Sequence, residues 1–238
     1  IGDGALGCLF SAELSKTNEV ILLTHTQEKT DIINQNGLSV TETDHHIDSF
    51  HHLRAYASGT YQQQVDLVVI LVKATQTASA VQQNLPVIGP HTLVLTLQNG
   101  MGNKDIITQY IPESQLLLGT TNHNSVLLDT GKVFHSGIGI TSIGSQFVPY
   151  SKLEEIRDVF LKSGLDCAIV DNIGFLLWKK LFVNIAINAF TYITQTPMGF
   201  ITHNTEAGII TSAVLREAVQ VAQAEGFSFN TDEIISFV

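Results

Sequence analysis

The chain has 238 residues, of which 44% are hydrophobic and 14% are charged, and its formal net charge is -10. This length suits one large domain or two modest ones, and the acidic balance excludes nucleic-acid binding through the overall field of the protein. The two cysteines, Cys8 and Cys167, lack metal-ligand spacing and are too few for a disulfide framework, which indicates a reducing, cytoplasmic location. Anionic ligands must therefore be held by local lysines, backbone amides and helix N-termini.

The chain opens on a glycine-rich turn that fits the pattern G-x-G-x-x-G and leads into an apolar helix. The turn comprises Gly2, Asp3, Gly4, Ala5, Leu6 and Gly7. The first glycine allows a tight turn, the second lets a pyrophosphate approach the backbone, and the third lets helix and strand pack closely. The pattern predicts a dinucleotide-binding loop, and a glycine-rich loop without a ligand is the alternative.

The residues after the next strand bear on which dinucleotide binds. An apolar run at 19–23 predicts a strand, and an acidic residue at its end would bind the ribose of NAD. This chain carries Thr24, His25 and Thr26 there, with Lys29 close by. Because hydroxyls, an imidazole and an amine suit a 2′-phosphate, we expect NADPH as the cofactor, with His25 among its ligands.

Strand and helix signals alternate along the rest of the first half. In chain order they predict a helix at 27–36, short strands within 37–56, a strand at 65–72, a helix at 75–85, strands at 92–97 and 116–121, an antiparallel meander within 124–144, a helix at 150–162 and a strand at 166–171. Lys73 and Asn99 follow two of the buried strands, at the edge where open α/β sheets bind ligands. A plain surface lysine at a strand end is the alternative interpretation of Lys73.

Only helices are predicted after residue 172. They cover 173–194 and 204–225, with a break at 197–199, and a third helix is capped by Thr231. We therefore expect an α/β sheet domain at residues 1–171 and an all-helical domain at residues 172–238. Since the chain starts directly before the glycine turn and ends within a helix, we also expect a first strand to precede it and further helices to follow it.

A polar stripe runs along the first of these helices. Lys180, Asn184 and Asn188 are spaced four residues apart, so an α-helix places them on one face. Their neighbours are almost all apolar, and burying an amine and two amides without partners costs several kcal/mol. The stripe predicts a site for a small polar ligand, whereas a snorkelling lysine with two capping asparagines is the alternative. The same polar residues argue against a membrane-spanning helix.

Two adjacent pairs of histidines are candidate metal ligands by residue type. His45, His46, His51 and His52 lie in an irregular region without supporting cysteines, and adjacent residues of a strand point to opposite faces. We expect them to be surface residues and expect no metal site. His123 follows a buried strand, and we expect it to line the ligand cleft.

Taken together, these motifs resemble the ketopantoate reductase (2-dehydropantoate 2-reductase) family over nearly the whole chain. The matching segments are Gly2–Gly7, Val72–Ala74, Asn99–Gly102, Gly119–His123, Trp178–Asn184, Asn188 and Glu217. The resemblance implies a Rossmann domain followed by a helical domain. It also implies NADPH-dependent reduction of 2-dehydropantoate to (R)-pantoate, a step towards pantothenate and coenzyme A.

The resemblance assigns roles by position. Lys180 matches the catalytic lysine, a general acid, and Asn184 and Asn188 match asparagines that hold the substrate. Lys73 and Asn99 match residues that line the cofactor and substrate site. A monomer or a homodimer is expected, because the family contains both.

The chain departs from the family pattern at two informative positions. His25 stands where an arginine is common, and Met198 stands where an asparagine often contacts substrate. Two alternatives therefore remain open: a related NAD(P)-dependent reductase of another 2-keto acid, and a non-catalytic NADP-binding sensor. A sensor needs the glycine turn but has no use for the polar stripe.

Overall fold

The computed structural model describes residues 1–238, which divide into two compact units, Ile1–Ile173 and Gly174–Val238. Unit 1 mixes strands and helices, and unit 2 is entirely helical. The predicted fold class, an α/β domain followed by a helical one, is confirmed.

The elements of unit 1 follow the predicted alternation, except that the short helix Asn103–Ile107 was not predicted. The strands are β1 Ile21–Thr24, β2 Leu38–Thr41, β3 Ile47–Phe50, β4 Arg54–Ala57, β5 Leu67–Ile70, β6 Leu93–Thr96, β7 Leu116–Thr121, β8 Asn124–Asp129, β9 Lys132–Gly137, β10 Thr141–Gly144 and β11 Cys167–Ile169. The α-helices are α1 Ala5–Leu14, α2 Gln27–Asn36, α3 Thr77–Gln83, α4 Asn103–Ile107 and α5 Tyr150–Lys162. Short 3₁₀ turns occupy Ala74–Gln76, Leu85–Val87 and Glu113–Gln115.

The first two residues join two parallel sets of strands. Strand β1 pairs with β4, and β5, β6 and β7 pair in that order. The amide of Gly2 donates to the carbonyl of Leu23 at 3.0 Å, and the amide of Leu71 donates to the carbonyl of Ile1 at 2.9 Å. The resulting order, β4, β1, residues 1–2, β5, β6, β7, is the 3-2-1-4-5-6 order of dinucleotide-binding sheets. Ligands bind such sheets where the order reverses, which here is beside residues 1–2 and β5.

Helix α1 packs against two sheets. It contacts β1 and also contacts β2, β8 and β9 of a second, four-stranded sheet with the order β3, β2, β9, β8. Seven of its ten residues are buried. Phe10 and Leu14 join the core beneath α5, whereas Cys8 and Leu9 join the core beneath the second sheet. Because α1 is buried on all its faces, apolar residues occur around its whole circumference.

The predicted antiparallel meander within 124–144 is partly wrong. Strands β8 and β9 form the expected hairpin, but β10 pairs with β7 and β11 in the main sheet. Strand β9 pairs instead with β2, more than 90 residues earlier in the chain. Strand periodicity predicts that a segment is extended, but it does not choose among distant partners.

Both cysteines are buried and free, Cys8 in α1 and Cys167 in β11. Burial raises the pKa of each thiol to about 12. A thiol with so high a pKa carries almost no thiolate at neutral pH and is a poor nucleophile.

A buried glutamine connects two loops at the carboxyl edge of the main sheet. The Nε2 of Gln98 donates to the carbonyl oxygen of Val72 and to the hydroxyl of Thr77, at 2.8 Å in each case. Its Oε1 accepts from the hydroxyl of Thr96 at 3.0 Å. The side chain therefore holds the loop after β6 against the loop after β5.

Unit 2 contains the helical elements that follow β11. They are α6 Ile173–Val183, a π-helical segment Asn184–Asn188, α7 Ala189–Thr194, α8 Gly199–His203, α9 Thr205–Ala224 and α10 Thr231–Phe237. Their core is aromatic: Trp178 and Phe182 of α6 pack with Phe229 and with Leu215 of α9. The helix α8 was not predicted.

Two details of the helical predictions are wrong. The expected helix at 173–194 is interrupted by the π-helical segment, in which backbone bonds span five residues instead of four. The cap of α10 is Asn230 and not Thr231, because the Asn230 side chain accepts from the amides of Asp232 and Glu233. The helical run 173–194 is long and apolar enough to cross a membrane by length and composition alone.

We expect the Gln98→Leu variant to lower the free energy of unfolding by about 2–3 kcal/mol, because it leaves the Val72 carbonyl and the Thr77 hydroxyl without this partner. Urea unfolding followed by circular dichroism measures the change. Gln82→Leu, at an exposed site of α3, is the matched control and should stay within about 0.5 kcal/mol. Equal effects of the two variants would contradict the bridging role.

We expect the Phe182→Ala variant to destabilise unit 2 by about 3–5 kcal/mol, because Phe182 is 0% exposed and its removal leaves a cavity. The one tryptophan, Trp178, reports this directly, since its ring lies 5.7 Å from that of Phe182. Tyr192→Ala, at a side chain that is 79% exposed, should leave the urea midpoint of tryptophan fluorescence nearly unchanged.

Candidate active site

In the glycine turn, helix α1 starts directly against residues 1–2, which lie between β1 and β5 in the sheet. A Cβ on Gly7 would overlap the carbonyl oxygen of Gly2. Gly2 has a φ of 117°, and a Cβ at this position would lie only 3.0 Å from backbone atoms of Leu71 and Val72. Only glycine fits at either position. Leu6 points the other way, into the core.

The middle glycine faces open space. A Cβ on Gly4 would meet nothing within 4 Å, and the backbone there has a φ of -78°, which any residue can adopt. Gly4 precedes the first turn of α1, beginning at Ala5, and this N-terminus has neither a side-chain cap nor an acidic residue in its first turn. Unsatisfied amides and the positive end of the helix dipole suit an anion. The turn therefore fits the pyrophosphate of a dinucleotide.

The second residue of the turn meets the residues after β1. The Oδ2 of Asp3 accepts from the amide of His25 at 3.2 Å and lies 3.1 Å from the Nζ of Lys29. The imidazole of His25 is exposed beside this pair. The predicted 2′-phosphate ligands, His25 and Lys29, thus lie at the end of β1 together with a carboxylate that the sequence interpretation did not take into account.

Lys73 and Asn99 lie at the same edge of the sheet. Each follows its strand by three residues, and the strand ends Ile70 and Thr96 are register partners in the parallel pair β5–β6. Both side chains are exposed. The Gln98 bridge holds their loops together. Unit 1 thus brings together the glycine turn, His25, Lys73 and Asn99 along one edge, as open α/β sheets do for ligands.

Lys180 lies in the last turn of α6, among apolar neighbours, and is half-buried. Burial lowers the pKa of its amine from the usual value of 10.5, and desolvation is the cause of this shift. Glu217, which the family resemblance matches to an acidic position able to pair with the catalytic lysine, is exposed on α9. A lysine with a lowered pKa is a better proton donor near neutral pH.

The two asparagines contact each other within the π-helical segment. The Nδ2 of Asn188 donates to the Oδ1 of Asn184 at 2.8 Å. This bond leaves the amide nitrogen of Asn184 and the amide oxygen of Asn188 for other partners. Asn184 is half-buried and Asn188 is exposed. Sequence spacing predicted their adjacency, but it did not predict the π-helical geometry, which is frequent at functional sites.

A chain of three titratable groups in unit 1, two buried histidines and a half-buried glutamate, was not predicted from the sequence. The Nδ1 of His123 lies 3.0 Å from the Nε2 of His135, and the Nδ1 of His135 lies 3.1 Å from the Oε1 of Glu42. His123 packs edge-on to Phe10. Burial lowers the pKa of His123, and the neighbouring His135 lowers it further. Glu42 directly follows β2, and His135 lies in the paired strand β9. The two residues are 93 positions apart in the chain, so no local signal links them.

The remaining histidines considered as ligands, His45, His46, His51 and His52, are all exposed. Met198, at the position of the family's substrate asparagine, is 59% exposed before α8.

Comparison with known proteins identifies the family to which this architecture belongs. The family model "Ketopantoate reductase PanE/ApbA" matches residues 1–146, and the model of that family's C-terminal part matches residues 172–238. The 2-dehydropantoate 2-reductase of Streptococcus pyogenes serotype M6 is 30% identical over 100% of this chain and 77% of its own length. The enzyme of the same name from Halobacterium salinarum is 30% identical over 95% of this chain and 75% of its own length.

Solved structures give the same result. A ternary structure of D-mandelate dehydrogenase with NADH and anilino(oxo)acetate superposes with a TM-score of 0.92 at 26% identity, covering 99% of this chain and 76% of that one. The 2-dehydropantoate 2-reductase from Geobacter metallireducens superposes with a TM-score of 0.88 at 26% identity, covering 100% and 80%. Models of one family match both units, and a 2-dehydropantoate 2-reductase is 30% identical over the whole of this chain, so the chain belongs to the ketopantoate reductase family of nicotinamide-dinucleotide-dependent oxidoreductases.

Proposed function

We propose that this protein reduces the keto group of 2-dehydropantoate to give (R)-pantoate, with NADPH as the cofactor, in the pathway to pantothenate and coenzyme A. Family membership and the names of the relatives support the reaction. The observation that carries the proposal is the half-buried Lys180, with its lowered pKa, in the same helical run as a contacting pair of amides.

We propose residues 1–171 as the cofactor-binding domain and residues 172–238 as the substrate and catalytic domain. In the first, the backbone of Gly2–Gly7 would hold the pyrophosphate, and His25 with Lys29 would hold the 2′-phosphate. Lys73 and Asn99 would line the same edge of the sheet. The bound dinucleotide would supply the hydride.

Lys180 acts as the general acid in this proposal. Reduction of a ketone leaves negative charge on its oxygen, and the ammonium of Lys180 stabilises that charge and then transfers a proton from Nζ to the oxygen. Such proton transfer is typically worth 10²–10⁴-fold in rate. Burial favours the neutral amine and so makes the ammonium a stronger acid.

Asn184 and Asn188 orient the substrate without adding charge. Their mutual hydrogen bond fixes which amide atoms are left to the ligand. The nitrogen of Asn184 donates to a carboxylate oxygen, and the oxygen of Asn188 accepts from a hydroxyl. A 2-keto acid that also carries a hydroxyl group matches both atoms.

A second candidate substrate class is another 2-keto acid. Two observations favour it: the close superposition with D-mandelate dehydrogenase, and Met198 in place of an asparagine. A non-catalytic NADP sensor is the third candidate. We further propose a cytoplasmic enzyme, a monomer or homodimer, that binds neither nucleic acid nor membrane.

Replacing the proposed acid should separate catalysis from cofactor binding. We expect the Lys180→Met variant to lose turnover of 2-dehydropantoate by about 10²–10⁴-fold while its dissociation constant for NADPH changes less than about threefold. NADPH oxidation at 340 nm and fluorescence titration measure the two quantities. Because the acid must be protonated, kcat should fall as the pH rises through the lowered pKa of Lys180.

The adjacent Lys179→Met is the matched control, since the ammonium of Lys179 lies over the rings of Phe175 and Phe237. Its turnover should stay within about threefold of the wild type. If Lys180→Met kept most of its turnover, the general-acid role would be wrong. A wild-type protein that bound NADPH but turned over no 2-keto acid would favour the sensor. Turnover of a different 2-keto acid would keep the role and change the substrate.

Two glycine variants test the cofactor loop. We expect Gly4→Ala to fold with unchanged stability, because its Cβ meets open space, and to lose at least about tenfold in NADPH affinity, because that space receives the pyrophosphate. Gly7→Ala should instead destabilise the fold, since its Cβ would overlap the Gly2 carbonyl. Thermal unfolding and fluorescence titration distinguish the effects. Unchanged affinity in Gly4→Ala would show that the loop holds no dinucleotide.

A further inference from the structure

A carboxylate occupies the end of β1, although no residue of that strand supplies it. The carboxylate belongs to Asp3, the second residue of the glycine turn, which reaches across to the residues after β1. Its Oδ2 accepts from the amide of His25 at 3.2 Å and lies 3.1 Å from the Nζ of Lys29. Position 3 is one of the variable positions of the G-x-G-x-x-G pattern, so the turn itself does not require an acid there.

These contacts fix the direction of the Asp3 side chain. It is only 11% exposed, whereas the side chain of Lys29 is 35% exposed. Gly2 and Gly4 on either side have no side chains that could compete for the space. The carboxylate is thus held by one backbone amide and one ammonium.

The end of β1 is the place where dinucleotide-binding sheets recognise the adenosine ribose. A carboxylate there accepts from the 2′-hydroxyl of NAD, and it repels the 2′-phosphate of NADP. The residues at the end of β1, Thr24, His25 and Thr26, include no acid. Asp3 supplies the missing carboxylate from the loop.

The same carboxylate neutralises the cation that a 2′-phosphate would use. Lys29 is already paired with Asp3, so a phosphate there meets an ammonium and a carboxylate about 3 Å apart instead of a lone ammonium. A free 2′-hydroxyl meets the acceptor it needs. We infer that Asp3 is a specificity-determining residue that weakens the preference for NADPH, so that the enzyme binds NADH and NADPH with similar affinity. This inference rests on the proposed function, because it presumes that the loop binds a nicotinamide dinucleotide.

The test measures binding without turnover. NADPH and NADH are titrated separately into the protein in the absence of substrate, and the fluorescence of the reduced nicotinamide gives the two dissociation constants. In the wild type we expect them to lie within about tenfold of each other. Asp3→Asn keeps an acceptor for the His25 amide but removes one negative charge, so NADPH should bind about tenfold more tightly while NADH binds no better.

Two further variants make the result specific. Lys29→Met should weaken NADPH about tenfold and leave NADH within about threefold, because only the 2′-phosphate uses the ammonium. Glu28→Gln removes the same charge from an exposed neighbour on α2, and both dissociation constants should stay within about twofold. This control separates a direct effect of Asp3 from a change in net charge.

The outcomes separate this inference from the proposed function. An Asp3→Asn shift in the ratio of the two dissociation constants, absent in Glu28→Gln, supports the inference. Equal changes for both dinucleotides, or no change, would overturn it while leaving the proposed function intact. A wild type that prefers NADPH by more than about tenfold would also overturn it. Binding of neither dinucleotide would overturn both.

Discussion

The contact between Gly7 and the carbonyl oxygen of Gly2 is the constraint on which the nucleotide-binding edge depends. Because this contact leaves no room for a side chain, α1 begins directly against residues 1–2, between β1 and β5. The helix cannot move away to relieve the crowding, since it is buried between two sheets. Its uncapped amides therefore face the turn at a fixed position, and Asp3 is directed towards the end of β1.

The chemistry of unit 2 depends on a balance between burial and charge at Lys180. A nearby carboxylate would raise the pKa of the amine, whereas burial lowers it, and the shift is downward with desolvation as its cause. Desolvation therefore dominates at this site. The two asparagines in the same helical run bind polar groups without charge, so they do not reverse the shift. The ammonium of Lys180 in this apolar helix is therefore more acidic than that of a solvated lysine.

The sequence predicted the features that depend on neighbours along the chain. The glycine turn, the helix Gln27–Asn36 and the helix Tyr150–Lys162 were all identified from local patterns. Features that depend on distant partners were not. Gln98 bonds to Thr77 and Val72, which precede it in the chain by 21 and 26 positions. The chain Glu42–His135–His123 brings together residues up to 93 positions apart, which meet only in the folded protein.

The candidate site likewise contains features that local patterns predicted and features that only the folded structure shows. Spacing was sufficient to place Asn184 beside Asn188, but the π-helical segment is a backbone geometry with no residue signature of its own. The pattern G-x-G-x-x-G identified the loop but treated Asp3 as a variable position. Its contact with Lys29, 26 residues away, appears only when the loop meets β1 in the fold.

An acidic chain that binds an anionic cofactor must rely on short-range contacts. The formal net charge of -10 repels a dinucleotide at long range, but at physiological salt this repulsion is screened beyond about 8 Å. Contacts within hydrogen-bonding distance are screened far less, so the amides of α1 and a few lysines can outweigh the overall field. Each local charge then has a large relative effect. The pairing of Lys29 with Asp3 neutralises a positive charge near the end of β1. If the edge of the sheet binds the adenosine ribose, this local neutralisation, rather than the net charge, would determine how strongly the edge distinguishes a phosphate from a hydroxyl.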